Sequence, residues 1–319
     1  MTISIVTGCC GMIGSNLVQR LLSLGPVIGI DNLSLGKLEN ISHFCDDANF
    51  TFHKVGLEDY QSLDELFKEI IASDFSYDLW HLAANSDIRA GIDDASIDLR
   101  DTFMTTFNLL EASKAYNIKN FYFASSSAVY GNHGSKQLKE SSGNLLPISN
   151  YGAMKNASES ILSVANNAFL EKTVIFRFPN IVGLPLTHGI LYDFIKKIKE
   201  SKEVLEVLGN GTQSKEYLHV DELIDAMVLL VERGSSGLSI YNIGSNGTST
   251  TVSSIAERFT KAVSPETKIR YGETNYGWVG DIPCFNYSIE KAKGMGWSPA
   301  LTSDQAIDAV LSQIAESLS

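Results

Sequence analysis

Tyr151 and Lys155 stand one helical turn apart in the run Ser149-Asn-Tyr-Gly-Ala-Met-Lys155. On a helix that spacing puts both side chains on one face. A free phenol has a pKa of about 10 and is a poor base at neutral pH. A neighbouring ammonium stabilises the phenolate and lowers that value, so the pair can serve as a proton-transfer device. An ordinary exposed helix face carries the same spacing, so the two residues decide nothing alone. The rest of the chain has to supply a cofactor, a partner hydroxyl and a scaffold.

A cofactor loop stands near the start. Gly8-Cys-Cys-Gly11-Met-Ile-Gly14 follows an apolar strand and opens a helix. Gly8 suits the tight turn, Gly11 lets the backbone approach a pyrophosphate, and Gly14 lets helix and strand pack closely. The phosphates then rest on the helix N-terminus. Asp31 ends the second apolar run, where a carboxylate accepts bonds from an adenosine ribose. It would repel a 2′-phosphate and no arginine adjoins it, which favours NAD over NADP. A turn aspartate in Asp31-Asn-Leu-Ser is the plain alternative. The third element is Ser125-Ser126-Ser127, at the end of the fifth apolar run. A hydroxyl there can bond the substrate oxygen that Tyr151 deprotonates.

The elements that must position these groups are legible as a series. Residues 3–7, 27–30, 51–55, 78–82, 121–125 and 173–178 are short apolar runs, as buried parallel strands are. Residues 12–24, 63–72, 98–115 and 151–169 show helical periodicity. Alternation of this kind implies an α/β fold, a doubly wound parallel sheet of Rossmann type. After about residue 180 the pattern loosens into a smaller C-terminal α/β portion, with helices over 191–200, 221–233, 252–263, 289–295 and 303–314. The expected division is residues 1–180 for NAD, with 220–245 packing back onto them, and 181–319 for the substrate.

Bulk properties exclude several classes. The chain has 319 residues, 44% hydrophobic, with a net charge of −12, which argues against binding nucleic acid or an anionic membrane. No apolar run approaches the ~20 residues of a membrane span. Met1-Thr-Ile-Ser-Ile-Val-Thr7 lacks a basic leader and reads as a strand. Cys9, Cys10, Cys45 and Cys284 show neither disulfide nor zinc spacing. Cys9 and Cys10 fit as small packing residues, and a reducing cytoplasm is the expected compartment.

With glycine loop, strand-end serine and Tyr-x-x-x-Lys in this order, the whole chain resembles the extended short-chain dehydrogenase/reductase family, in its nucleotide-sugar epimerase and dehydratase group. His81-Leu-Ala-Ala84, Asn108-Leu-Leu-Glu-Ala112, Arg177-Phe-Pro-Asn180, Tyr217-Leu-His-Val-Asp221, Gly280-Asp281 and Gly296-Trp297 resemble its motifs too. The resemblance implies a catalytic triad of Ser126, Tyr151 and Lys155, with Ser127 a near alternative and Ser125 structural. It implies NAD contacts from Gly8, Gly11, Met12, Ile13, Gly14, Asp31, Asn32, Leu57, Leu82, Ala83, Ala84 and Phe178, beside Tyr151 and Lys155. Ser86, Ser127, Asn180, Lys215 and Phe285 fall at substrate positions, and no metal is implied. His81 and His219 are packing or hydrogen-bonding residues rather than catalysts.

The departures are local. Gly56 stands where the family often has an acid for adenine, Thr102 where it often has Asn, and Lys215 and Trp278 where it has diphosphate arginines. Lysine keeps the charge but loses the bidentate fork. Arg270 or Lys196 would be the compensating cations. The implied chemistry is hydride transfer from sugar C4. Dehydratases of the group carry Asp-Glu after the strand-end hydroxyl, whereas Ser127 and Ala128 stand here, so a 4-epimerase is the leading expectation. A 4-dehydrogenase or 4-ketoreductase, and an NAD-binding sensor, are the alternatives. Phe285 resembles a residue limiting pocket size, and a core aromatic is equally consistent. The nucleotide stays open among UDP, GDP, CDP and dTDP. A homodimer through 98–115 and 151–169, with Phe103, Met104, Phe107 and Leu110 on the seam, is also implied.

Overall fold

Runs of valine, isoleucine and aromatic residues, bounded by glycine or polar turns, become strands of one sheet. The computed structural model describes residues 2–134, 136–277, 282 and 286–318. Its first strands are β1 (Thr2–Thr7), β2 (Val27–Asp31), β3 (Phe50–Lys54), β4 (Ser76–His81), β5 (Asn120–Ala124) and β6 (Lys172–Arg177). Between them run α1 (Met12–Leu22), α2 (Tyr60–Ile70), the short α3 (Ile88–Asp93) and α4 (Ala95–Asp98), α5 (Thr105–Ala115) and α6 (Asn150–Ala168). Short strands β7 (Asn180–Val182), β8 (Val204–Val207), β9 (Ser214–Lys215) and β10 (Tyr217–His219) follow, with helices α7 (Ile190–Glu200) and α8 (Val220–Arg233). Then β11 (Gly237–Asn242) returns to the main sheet beside β6. The chain continues through β12 (Thr250–Thr251), α9 (Val252–Val263), β13 (Lys268–Tyr271), α10 (Glu290–Gly294) and α11 (Ser303–Leu318).

The main sheet has the order β11-β6-β5-β4-β1-β2-β3, and every pairing is parallel. The order reverses beside β1, so β1 and β4 flank the crevice where such sheets bind ligands. Leu17, Val18 and Leu21 of α1 and Leu223, Met227 and Leu230 of α8 share one core. Leu63 and Phe67 of α2, Leu109 and Leu110 of α5 and Leu162 of α6 share another. A third core joins Phe194 of α7, Phe259 of α9 and Ile307 and Leu311 of α11. No helix among the described residues is long and apolar enough to cross a membrane.

Two expectations change. The segment 237–242 shows no strand signal, yet it forms β11. As an edge strand it is half-exposed over most of its length and lacks a continuous apolar run. The helix expected over 98–115 forms without a break but changes its winding: α4 ends at Asp98, Leu99–Met104 is a π-helix, and α5 follows. Within it the Thr105 and Thr106 hydroxyls each donate to the Thr102 carbonyl at 3.1 Å. Such wide turns gather at functional sites.

Helix α6 is fixed to β6 by a buried ion pair. Arg177 donates to both Glu159 oxygens, with Nη2 to Oε2 at 2.5 Å and Nε to Oε1 at 2.9 Å. Ser125 Oγ donates to the same Oε1, and the guanidinium stacks 4.9 Å from the centre of the Tyr130 ring. Removing one partner of such a pair strands the other in low dielectric, at a cost of about 3–5 kcal/mol. Glu159→Ala is therefore expected to lower unfolding free energy by about that amount, read from the urea midpoint at unchanged m-value.

Candidate active site

Helix α6 begins where Ser149 caps it: the hydroxyl accepts from Gly152 N–H at 3.1 Å. That places Tyr151 in the first turn and Lys155 one turn on. Gly152 also sets an approach distance. A Cβ there would lie 2.7 Å from the carbonyl oxygen of Ala128, in the 3-10 turn Ser127–Tyr130 after β5. Without that side chain, α6 comes down onto the strand-end turn and brings Ser126 to Tyr151. Ser126 caps its own turn, accepting from Ala128 N–H at 3.1 Å, and its hydroxyl lies on the phenol's side of the cleft, where it lowers the phenol's pKa. Ser126, Ser127, Tyr151 and Lys155 line one cleft. Ser125 is fully buried behind it, turned to Glu159.

Lys155 is 1% exposed and donates to the Ala124 carbonyl at 2.6 Å. Its Nζ lies 5.7 Å from the centre of the Tyr151 ring. Burial pulls the ammonium down to about 7, against Glu159 and Asp98, which favour the charge. The Tyr151 phenol is raised well above its ordinary value, first by burial and further by Asp98, while the Ser126 hydrogen bond pulls it back. This reverses the expected lowering. Desolvation outweighs a single cation that is itself half discharged at neutral pH and turned toward Ala124.

The other half of the cleft is a dinucleotide cradle. Gly11 caps α1 with no side chain on the first N–H groups, leaving them for an anion. Gly8 has φ +70°, and a Cβ on it would sit 2.8 Å from Ala83 N in the loop after β4. A Cβ on Gly14 would sit 2.0 Å from the Gly8 carbonyl. Asp31 closes the cradle at the end of β2. Its Oδ1 accepts from Leu33 N–H at 2.8 Å and its Oδ2 from Cys10 N–H at 2.9 Å. Burial raises its pKa while these two bonds oppose the rise, and lone pairs remain for ribose hydroxyls. These features fit a dinucleotide, with backbone groups for its pyrophosphate and a carboxylate for its ribose.

The NAD dependent epimerase/dehydratase family matches residues 4–244. The chain belongs to this family. Its cofactor is NAD. The UDP-glucose 4-epimerase of Lacticaseibacillus casei is 29% identical over 321 residues, 94% of this chain and 92% of the relative. The dTDP-glucose 4,6-dehydratase of Neisseria gonorrhoeae is 27% identical, over 95% of this chain and 92% of the relative. A crystal structure of UDP-galactose 4-epimerase superposes with TM-score 0.85 and 30% identity over 100% of both chains.

Within this family's cleft the structure brings together most of the residues expected from the sequence. Gly8, Gly11, Met12, Ile13, Gly14, Asp31, Asn32, Leu57, Leu82, Ala83, Ala84 and Phe178 line it, as do Ser86, Asn180 and Lys215. Phe285, like Trp278, Gly280, Asp281 and Cys284, lies outside the described residues. Neither expected compensating cation reaches the cleft: Arg270 pairs with Glu206 on the β13–β8 ribbon, and Lys196 is exposed on α7. His81 is fully buried between the Thr7 hydroxyl at 2.8 Å and the Thr106 hydroxyl at 3.0 Å, a structural bridge. Leu110, expected on a dimer seam, is committed to the monomer core, whereas Phe107 is exposed.

Sequence reading misses Glu58, Asn85, Ser149, Thr187 and His188, which also line the cleft. Asn85 is the informative one. Its amide donates to Asp98 Oδ1 at 2.9 Å, and its N–H donates to the Thr102 hydroxyl at 3.2 Å. Asp98 is fully buried and its Oδ2 has no hydrogen-bond partner; a Cβ on Gly91 would lie 1.8 Å from it. The Gly91 carbonyl accepts from Asn150 beside Tyr151 at 2.8 Å. This chain of contacts ties the loop after β4 to the start of α6. A polar pair, Asn85 and Asp98, separated by the short helix α3 gives no periodic signal.

Gly152→Ala is expected to push α6 off the Ala128 turn. Displacement on the ångström scale costs about 10²-fold in rate, so turnover should fall by that factor while NAD binding, measured by fluorescence titration, holds. Lys155 gives a stability signature. Its folded pKa lies below its unfolded value, so between about 7 and 10.5 the unfolded chain binds more protons at this site. Ligand-free stability from this group therefore rises with pH across that window. Lys155→Met should remove the slope, and its advantage over wild type in urea melts should be largest below about pH 7.

Proposed function

We propose that the protein is a nucleotide-sugar 4-epimerase that interconverts C4 epimers through a transient 4-keto sugar. The observation that carries this reading is the meeting of Ser126, Tyr151 and Lys155 with the dinucleotide cradle in one cleft, where Ser127 and Ala128 also stand. Neither of those two can act as acid or base at neutral pH, so elimination of water lacks the pair that the group's dehydratases carry. Epimerisation needs no group beyond the triad.

In this reading Ser126 holds the 4-oxygen of the sugar and Tyr151 takes the 4-hydroxyl proton as general base. Lys155 holds the nicotinamide ribose and stabilises the phenolate. Bound NAD⁺ supplies a reversible hydride acceptor and a positive charge beside the phenol. That charge supplies what the chain alone lacks, because burial otherwise keeps Tyr151 protonated. On return, Tyr151 gives its proton back to the oxygen. Lys215 and Asn180 contact the diphosphate, with Ser86 and Ser127 nearer the sugar. Residues 1–180 with 220–245 carry the cofactor and 181–319 the sugar nucleotide. The relatives' names favour a UDP-hexose as the first substrate class to try. A homodimer would use exposed Leu99 and Phe107 rather than Leu110.

The test is a panel of UDP-, GDP-, CDP- and dTDP-hexoses followed by NMR and NADH absorbance. Interconversion of 4-epimers without net NADH is expected, and Tyr151→Phe should lower turnover by about 10²–10⁴-fold with NAD still bound. Lasting NADH with a keto product would replace the epimerase by a 4-dehydrogenase. Unchanged biological activity in Tyr151→Phe would leave an NAD-binding sensor.

A further inference from the structure

The proposed reaction leaves two adjacent thiols unused in the glycine-rich loop. Cys9 and Cys10 are both fully buried, and their sulfurs lie 3.9 Å apart. The Asp31 carboxylate completes a cluster: one ligand atom from each of the three residues lies within 4.8 Å of the others. Among the described residues this is the one group of three metal-ligating side chains so placed. The surroundings hold it. A Cβ on Gly29 would meet Cys9 Sγ at 2.8 Å, and one on Gly36 would meet Cys10 Cβ at 2.8 Å. Cys10 N–H also binds Asp31 Oδ2 directly.

As thiols the two share an S–H···S contact at this distance, and the same spacing separates a disulfide from a bound ion. A disulfide needs sulfurs about 2.05 Å apart, which would pull neighbouring residues far from this arrangement. A tetrahedral ion with metal–sulfur bonds of about 2.3 Å holds its sulfurs about 3.8 Å apart, close to what is present. Thiolate donors select soft or borderline cations over magnesium or calcium.

We propose that Cys9, Cys10 and Asp31 bind a thiophilic divalent cation of the zinc–cadmium class, and that its occupancy excludes NAD by engaging the Asp31 carboxylate. On binding, each thiol passes its proton to buffer as a metal–sulfur bond forms. Each thiolate and the carboxylate take the place of a metal-bound water, which leaves to solvent, and a water keeps the fourth position. Two thiolates, a carboxylate and a dication leave one net negative charge, beside the N-terminus of α1, which favours it. The metal site rests on the side chains alone; the exclusion rests on the NAD cradle described above.

The experiment uses the full chain carrying Cys45→Ala and Cys284→Ala, so that Cys9 and Cys10 are the remaining thiols. Titration with Cd²⁺ alone should give a thiolate-to-cadmium charge-transfer band saturating at one ion per chain, with release of two protons. Saturating NAD should weaken Cd²⁺ binding about tenfold or more, and Cd²⁺ should weaken NAD binding by the same factor. Further replacement by Cys9→Ala and Cys10→Ala should abolish the band. Absence of the band in the two-thiol chain, or its persistence without Cys9 and Cys10, overturns the site. If the four-fold variant does not fold, the two-proton count decides in its place. A cadmium midpoint that NAD does not move overturns the exclusion. Cadmium uptake with no NAD binding at all would instead overturn the cofactor reading and leave the metal site standing.

Discussion

The carbonyl oxygen of Ala128 points at the position a side chain on residue 152 would fill. That contact sets how near α6 comes to the end of β5, and the reactive groups follow from it. Ser149 starts the helix and so sets the rotation that turns Tyr151 and Lys155 into the cleft. Glu159, one more turn along, locks the same helix to β6 through Arg177. A cap, a missing side chain and a buried ion pair therefore act within the first three turns of one helix. Each fixes a different coordinate: start, depth and tilt.

Charges alternate behind the cleft. Lys155 lies within the field of both Asp98 and Glu159, and Glu159 answers to Arg177. Burial dominates this arrangement for the two reactive groups, holding the phenol protonated and the ammonium near 7. The folded chain on its own is thus poised with its base unarmed. In the proposed reaction, positive charge brought in with the cofactor would tip the phenol toward its anion, and proton chemistry would then wait on dinucleotide binding.

The parallel sheet and the glycine cradle are legible in the sequence because each leaves a local mark. Apolar runs mark buried strands, and Gly8, Gly11 and Gly14 mark backbone that must pass close to other atoms. Ser126, Tyr151 and Lys155 become readable once that frame is present. What escapes is set by contacts between distant segments. Asp98 is an ordinary helical aspartate until Asn85 and Gly91 fold against it. The π-turn at Leu99–Met104 leaves the apolar period of the sequence unchanged and so escapes it. Strand β11 is hidden by half-exposure at the sheet edge. The upward shift of Tyr151 in the ligand-free chain leaves no mark in the sequence, where the neighbouring lysine is visible and desolvation of the phenol is not.

The chain leaves the main sheet after β6, builds β7 to β10 with α7 and α8, and then comes back to add the last strand. Helix α8, made on that excursion, covers the same core as α1. The main-sheet half is thus discontinuous along the polypeptide. Cut after β6, it would show a bare strand edge and an uncovered apolar stripe of Leu17, Val18 and Leu21, which invites aggregation. During synthesis the first half cannot finish folding until the second has largely emerged. The two halves are bound into one cooperative unit by threading as much as by contact.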